Sequence, residues 1–308
     1  MLRSLQHLGG MARRALRRHT PYRVSRRGLV RRSRWEIGVG FGRPPACFTT
    51  SAEVSNPVLT HADVTDVPAE FVADPFVVRR DATWYMFFEL FSNQSGRGEI
   101  GLARSTDGLA WTYVQRVLAE PFHLSYPLVF TAGGEHFLVP ETRTQRQVRL
   151  YRATAFPTEW TYVSTLLEGR PFGDTTVFRH ADRWWLLTET GRATLRLYFA
   201  DELRGAWTEH PMSPVVEGDA RTARPAGRVV ADGSRLFRYA QCCQDLYGEH
   251  VSALEIKELT TSSYREELVE AEVLGPRAQL WGVSRMHHID AQPYEGSTWI
   301  ALVDGLSP

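Results

Sequence analysis

Asp74-Pro75-Phe76-Val77-Val78, a short turn, and then Trp84-Tyr85-Met86-Phe87-Phe88-Glu89 is the stretch that decides the fold. Its grammar returns at Tyr126-Pro127-Leu128-Val129-Phe130 with His136-Phe137-Leu138-Val139-Pro140-Glu141. It returns again at Asp174-Thr175-Thr176-Val177-Phe178 with Trp184-Trp185-Leu186-Leu187-Thr188-Glu189. In all three, the closing Glu stands fifteen residues after the opening polar residue. Each unit then runs through a third apolar strand ending at Ala103, Ala153 or Ala200. A Trp-Thr pair follows (Trp111-Thr112, Trp160-Thr161, Trp207-Thr208), and then a fourth strand. Four short strands per unit, divided by Gly, Asp and Pro turns at a period near fifty residues, is the pattern of a β-propeller blade.

A fourth, more degenerate copy opens at Arg224-Pro225 and runs through Leu236–Tyr239, Val251–Ile256 and Glu267–Val273. A fifth begins at His287-His288-Ile289-Asp290 and includes Ser297–Val303, where only two strands are in hand. Trp35–Gly40 has the pattern of the missing strand, and pairing the two ends would remove two exposed sheet edges. The expectation is an all-β, five-bladed propeller over 35–308, with blades near 74–118, 126–167, 174–216, 224–273, and 287–303 plus 35–40. The main competitor is a β-sandwich, which does not normally repeat at this period. Ser263–Glu272 reads as the best candidate for a short surface helix.

The 308 residues carry 36 Lys+Arg against 35 Asp+Glu and 43% hydrophobic residues, enough for a large core and far from a disordered composition. No apolar run reaches the length of a spanning helix. Lys257 is the one lysine; eleven arginines and no acid fall within Met1–Arg34. That leader is a basic amphipathic stretch broken by Gly9 and Gly10, without the apolar core of a secretory signal. It suits an unstructured leader, or weak contact with an anionic membrane surface; nucleic acid is not an expected partner. Cys47, Cys242 and Cys243 form no disulfide framework and no zinc spacing, so reduced thiols and a cytoplasmic location, peripheral to membrane at most, are expected.

Blade geometry gives the polar residues their meaning. The inner strand starts at one face of the disc and the second strand returns to it. Asp74, Tyr126, Asp174, Arg224 and Asp290 should therefore ring one mouth of the channel, with Glu89, Glu141 and Glu189 one strand further out. Converging carboxylates in a partly desolvated cleft have spread pKa values, as acid/base glycoside chemistry requires. Asp74, Asp174, Glu141 and Glu89 are thus the candidate catalytic set. A closing Glu can also serve by holding loop amides between blades. His123, Tyr126, Arg224, His288 and Asp290 are candidates for holding substrate, Arg224 bringing a fixed charge suited to phosphate or an acidic sugar. No cofactor and no metal are expected, although His287 and His288 could meet an axial ion. There is no phosphate-binding Gly loop and no nucleophile elbow.

Taken in order, several motifs resemble the propeller domain of plant glucosamine inositolphosphorylceramide transferases and their bacterial relatives. They are Asn56-Pro57-Val58-Leu59-Thr60, Phe71–Phe76, Phe87-Phe88-Glu89, Gly98–Gly101, His123–Pro127, Pro140-Glu141, Leu150–Ala153, Arg224-Pro225, Tyr247-Gly248 and His287–Asp290. The likeness runs from about Trp35 to Tyr294. It implies kinship with five-bladed arabinanase-, xylosidase- and invertase-type glycosidases, in which one Asp is base or nucleophile, a second Asp opens a middle blade and a Glu is the acid. Asp74 and Asp174 match the two Asp positions. The acid Glu often opens the fourth blade, where this chain has Arg224. The resemblance also implies a separate glycosyltransferase domain, for which the chain has no room. Two expectations result: a hydrolase- or transglycosylase-like enzyme acting on a glycan or glycoconjugate, or a binding module for glycan or sugar-phosphate that works with a partner glycosyltransferase. A protein-interaction platform ranks third and would show an apolar face.

Overall fold

In the computed structural model, which describes residues 33–277 and 280–307, β-branched and aromatic runs become strands of five antiparallel sheets around one axis. Blade 1 is Ala69–Arg80, Thr83–Ser92, Arg97–Ser105 and Thr112–Leu118, counted outward from the axis. Blade 2 is Ser125–Ala132, Glu135–Glu141, Gln147–Ala155 and Glu159–Glu168. Blade 3 is Gly173–His180, Arg183–Glu189 and Thr194–Ala200, with its outer strand reduced to Thr208–Glu209 and Val216–Glu217. In blade 4 the inner strand is broken into Arg224–Pro225 and Val230–Asp232; Arg235–Gln241, Val251–Leu259 and Tyr264–Leu274 follow.

Blade 5 closes the ring. Ile289–Glu295 and Thr298–Leu306 come from the end of the chain, and Trp35–Arg43 pairs antiparallel with the latter, Val39 opposite Leu302. The early segment contributes a fourth strand too, Cys47–Thr49, beyond the single strand expected. The Arg-rich leader, up to residue 32, lies outside the described residues.

Apolar side chains fill the spaces between neighbouring blades. Phe76, Phe87, Val129, Leu138 and Tyr151 pack between blades 1 and 2, while Ile37, Val39, Met86, Phe88 and Leu302 pack between blades 5 and 1. The recurring Trp has a local task. The indole N–H groups of Trp111, Trp160 and Trp207 donate to the carbonyls of Gly108, Pro157 and Leu203 at 3.0, 2.9 and 3.2 Å, fixing the turn into the outer strand. A buried donor needs an acceptor, and that requirement maintains the repeat's spacing.

The expected surface helix at Ser263–Glu272 is a strand. Tyr264–Leu274 pairs with Val251–Leu259 and buries Tyr264, Val273 and Leu274 while Glu267 and Glu270 face water. One wetted face filled with charge mimics a helical pattern, but Arg238 reaching Glu266 from the second strand holds the segment to the sheet. The only helices among the described residues are the 3-10 turns His61–Asp63 and Arg143–Gln145.

The three opening positions share one device. Asp74, Tyr126 and Asp174 have φ of 52°, 46° and 46°, in the left-handed region, and each sits in a β-bulge of the inner strand. A bulge interrupts the ladder and re-aims its side chain. It also frees a backbone N–H, and a carboxylate takes each one. Asp304 accepts from Asp74 N (3.0 Å), Asp74 from Tyr126 N (3.1 Å), and Glu141 from Asp174 N (3.0 Å). The mouth is thus laced from blade to blade by the acids that line it.

Blade 4 is irregular because Gly227 passes close to Ile289: a Cβ there would lie 1.8 Å from the Ile289 carbonyl oxygen. The Tyr126 hydroxyl crosses the axis to accept from Gly227 N at 2.7 Å, and it lies 2.9 Å from the Gly227 carbonyl and from Thr176. Tyr126→Phe strands that buried N–H, so a loss of about 1–3 kcal/mol in urea unfolding is expected. An unchanged midpoint would mean that Gly227 finds another acceptor.

Candidate functional site

Bulges, strand ends and one hairpin bring polar side chains from all five blades to the mouth. The inner positions supply Asp74 and Asp174, and the second-strand ends supply Glu89, Glu141 and Glu189. Arg224 bonds Asp174, stands 3.9 Å from Glu141, and lies over the Tyr247 ring at 5.1 Å. The hairpin after Gln241 carries Tyr247 there, and Gln241 itself donates to Asp174 at 2.9 Å. Arg143, from the short 3-10 turn, donates to Glu189 at 2.8 Å. His287 Nδ1 lies 2.8 Å from Asp304 and 3.9 Å from Asp74, with its ring stacked on Trp35 at 3.9 Å.

His123 stands at the rim, its side chain 35% exposed. Its Nδ1 accepts from Gly98 N at 2.9 Å, which leaves the ring proton on Nε2, 3.5 Å from Glu89. Gly98 must be glycine here, because a Cβ would fall 2.2 Å from the Leu124 carbonyl oxygen and 2.6 Å from Glu89 Oε1.

Burial and partners divide the acids into two groups. Burial works against Asp174 and Asp304, but Arg224 and His287 respectively overcome it and hold both carboxyls below the usual range. Burial likewise opposes a charged His287, yet Asp304 and Asp74 raise its pKa. The other group has no such strong partner. Burial, with Asp304 and Asp174 adding to it against His287, pushes Asp74 up to about 7. Burial and neighbouring Asp174 push Glu141 up to about 8 against the pull of Arg224 and Arg143. Burial, then Asp74 and Glu141, raises Glu89 well above the carboxylate range. Groups able to hold a proton near neutrality thus stand beside fixed charges, the separation that acid/base chemistry needs.

Asp74, Asp174, Glu141, Glu89, His123 and Arg224 therefore meet at one opening. Tyr126, His288 and Asp290 reach the axis but lie buried behind it. Tyr126 spends its hydroxyl on Gly227, and His288 directs Nε2 to the Pro75 carbonyl at 3.1 Å. Asp290 accepts from Val77 N at 2.7 Å and bonds Arg228. Residue spacing places a side chain on the inner strand, but depth along the axis depends on the bulge, which sequence does not display. Asp304, Gln241, Tyr247 and Arg143 were not among the expected site residues. Asp304 stands fourteen residues after Asp290, one short of the repeat offset, and that was the signal available.

Asp74, His287 and Asp304 bring donor atoms within 4.8 Å of one another, as do Cys242, Glu249 and His250. Both sets have the chemistry to hold a metal ion.

Comparisons with known proteins agree with this architecture. Residues 46–306 match the family model described as glucosamine inositolphosphorylceramide transferase 1, N-terminal. The glucosamine inositolphosphorylceramide transferase 1 of Oryza sativa subsp. japonica is 34% identical over 296 residues, covering 88% of this chain and 40% of the relative. The Arabidopsis thaliana protein of that name is 32% identical over 296 residues, covering 88% of this chain and 39% of the relative. The chain thus spans about 40% of the length of the curated relatives it matches. Among solved structures, a family 117 glycoside hydrolase from Zobellia galactanivorans superposes with TM-score 0.54 at 13% identity, covering 89% of this chain and 91% of that one. The beta-fructofuranosidase of Bombyx mori gives 0.56 at 14% identity, covering 81% and 58%. At such identities they speak for the propeller fold alone. The family match over most of the chain decides its kinship: this protein belongs to the glucosamine inositolphosphorylceramide transferase 1 N-terminal family.

Proposed function

We propose that this propeller takes a glycosyl unit of a glycan or glycoconjugate into its mouth and cleaves or transfers it by acid/base chemistry on the carboxylates. The observation that carries this reading is the division just described: Asp74, Glu89 and Glu141 poised to hold protons, beside Asp174 and Asp304 fixed as anions by Arg224 and His287. Asp74 is the base or nucleophile. Asp174, clamped by Arg224 and Gln241, positions the sugar and tunes its neighbours. Glu141 is the acid, with Glu89 beside His123 as its alternate. The relatives' name, which speaks of a glucosamine inositolphosphorylceramide transferase, supports a glycoconjugate substrate. Some structural neighbours are named as acting on xylosides, fructofuranosides or arabinan, which also supports a sugar.

The proposal predicts a narrow pH optimum. Activity should fall below about 7 as Asp74 takes up a proton, and above about 8 as Glu141 gives one up. The test is a glycan-array screen with the purified chain, product analysis on any glycan bound, and then rates against pH. A single-limbed profile would remove one of the two carboxyls from its role.

One observation favours a second reading. Arg224 opens the fourth blade and neutralises Asp174, so the mouth also suits a module that binds a sugar or sugar-phosphate while a partner glycosyltransferase does the chemistry. Glycan binding without any product would select it. Cytoplasmic placement, with residues 1–34 touching an anionic membrane surface, belongs to either reading.

A further inference from the structure

Beside the mouth a cleft of about 530 Å³ is lined by Gln94, Ser95, Arg97, Glu99, Arg116 and Glu120. Its wall includes the strand Arg97–Ser105. Successive side chains on a strand point to opposite sides. Gly98 faces Glu89 and His123, so Arg97 and Glu99 on either side of it face away, into the cleft. The cleft is therefore separated from Glu89 by the thickness of one strand.

An inventory of donors and acceptors shows what it lacks. Both glutamates are already engaged: Glu99 accepts from Arg116 at 2.8 Å, and Glu120 accepts from the Tyr151 hydroxyl at 2.8 Å. Arg97 makes no ion pair among the described residues; its Nη1 reaches the Pro121 carbonyl at 3.3 Å. Arg97 Nε and the Ser95 hydroxyl are shielded from water, and neither has a hydrogen-bond partner. Buried donors left without acceptors are costly, so their concentration at one cleft marks a place where acceptor atoms arrive. The atoms left unpartnered are donors, Arg97 Nε and the Ser95 hydroxyl, while Glu120, bonded to a neutral hydroxyl, keeps its negative charge at the other side of the lining.

We infer that this cleft is a subsite for an oxygen-rich anionic group, a phosphate or sulfate ester carried by the substrate, gripped by Arg97 and Ser95 with Arg116 and Gln94 at its edge. This deepens the reading of the mouth and rests on it: the glycosyl unit sits at Asp74 and Glu89 while the charged group lies across the strand at Arg97. A guanidinium fork suits such a group.

The test uses the full chain and inorganic phosphate, followed by nuclear magnetic resonance and calorimetry, with sulfate, methyl phosphate and dimethyl phosphate as further arms. Saturable phosphate binding is expected, about tenfold or more weaker in Arg97→Gln and weakened less in Ser95→Ala. It should be unchanged in Asp74→Asn, because Asp74 does not touch the cleft. Preference for methyl phosphate over dimethyl phosphate would assign the site to a monoester, and the reverse to a diester. Equal binding to the wild type and a folded Arg97→Gln, or no saturable binding, overturns the subsite. The two readings fail separately: full turnover in Asp74→Asn would sink the mouth chemistry and leave phosphate binding at Arg97 standing.

Discussion

Asp74→Asn is expected to abolish turnover and yet raise the melting temperature at alkaline pH. The catalytic loss should be about 10²–10⁴-fold on any glycoside the wild type processes, since an amide can neither accept the proton nor attack carbon. The stability gain follows from linkage. Asp74 is raised to about 7 in the folded chain from an ordinary 3.8, so folding favours its protonated form. Its contribution is fully present below the unfolded pKa and is lost as pH rises through about 7. At pH above that, the wild type holds a desolvated carboxylate beside Asp304 and Asp174, and the amide removes that cost. The asparagine oxygen can still accept from Tyr126 N, as Asp74 does at 3.1 Å. Melts of both proteins from below pH 3.8 to above pH 7 provide the check: the variant's advantage should be absent at the acid end, grow as pH rises from 3.8, and level off on the alkaline side of about 7. A variant less stable than wild type there would mean that His287 fully compensates the Asp74 charge.

The largest structural effect belongs to Arg228→Met. The Arg228 guanidinium closes the channel beneath the mouth. It bonds the fully buried Asp290 from blade 5 and donates to the carbonyls of Val77 in blade 1 and Val129 in blade 2, at 3.1 and 3.2 Å. One side chain of blade 4 therefore joins three other blades. Methionine fills similar volume but leaves the Asp290 carboxylate without its countercharge. Breaking a buried pair from one side costs about 3–5 kcal/mol. Denaturant unfolding should register that loss, and Asp290→Asn in the same background should recover part of it. The deficit should also shrink toward acidic pH, where Asp290, already raised by burial against the pull of Arg228, accepts a proton. A loss below about 1 kcal/mol would mean that water reaches Asp290 and pairs with it.

These two residues illustrate what could be read early and what could not. Asp74 repeats in kind at Asp174 and stands in register with Tyr126, so its place on the axis was legible from spacing. Arg228 lies in a stretch where blade 4 departs from the repeat, and nothing in its local sequence announces that it crosses the channel. Asp290 was read as a rim residue because it opens the fifth copy. In the fold it accepts from Val77 N, three residues further along the inner strand than Asp74, and is lost to solvent. The reading of Ser263–Glu272 as the best helix candidate failed for a related reason, since an outer strand wetted on one face carries no clear period-two signal.

Order along the chain by itself determined the number of blades and the closure of blade 5 by the strand that begins at Trp35. Alternation, turn residues and the Trp-Thr spacing are local consequences of pleat and hydrogen bonding, and they repeat wherever the same local problem recurs. Only the tertiary structure decided which acids keep a proton and which are held as anions. That outcome depends on burial and on partners such as Arg224, Asp304 and His287, brought together from blades distant in sequence, and electrostatic energy depends on distance in space.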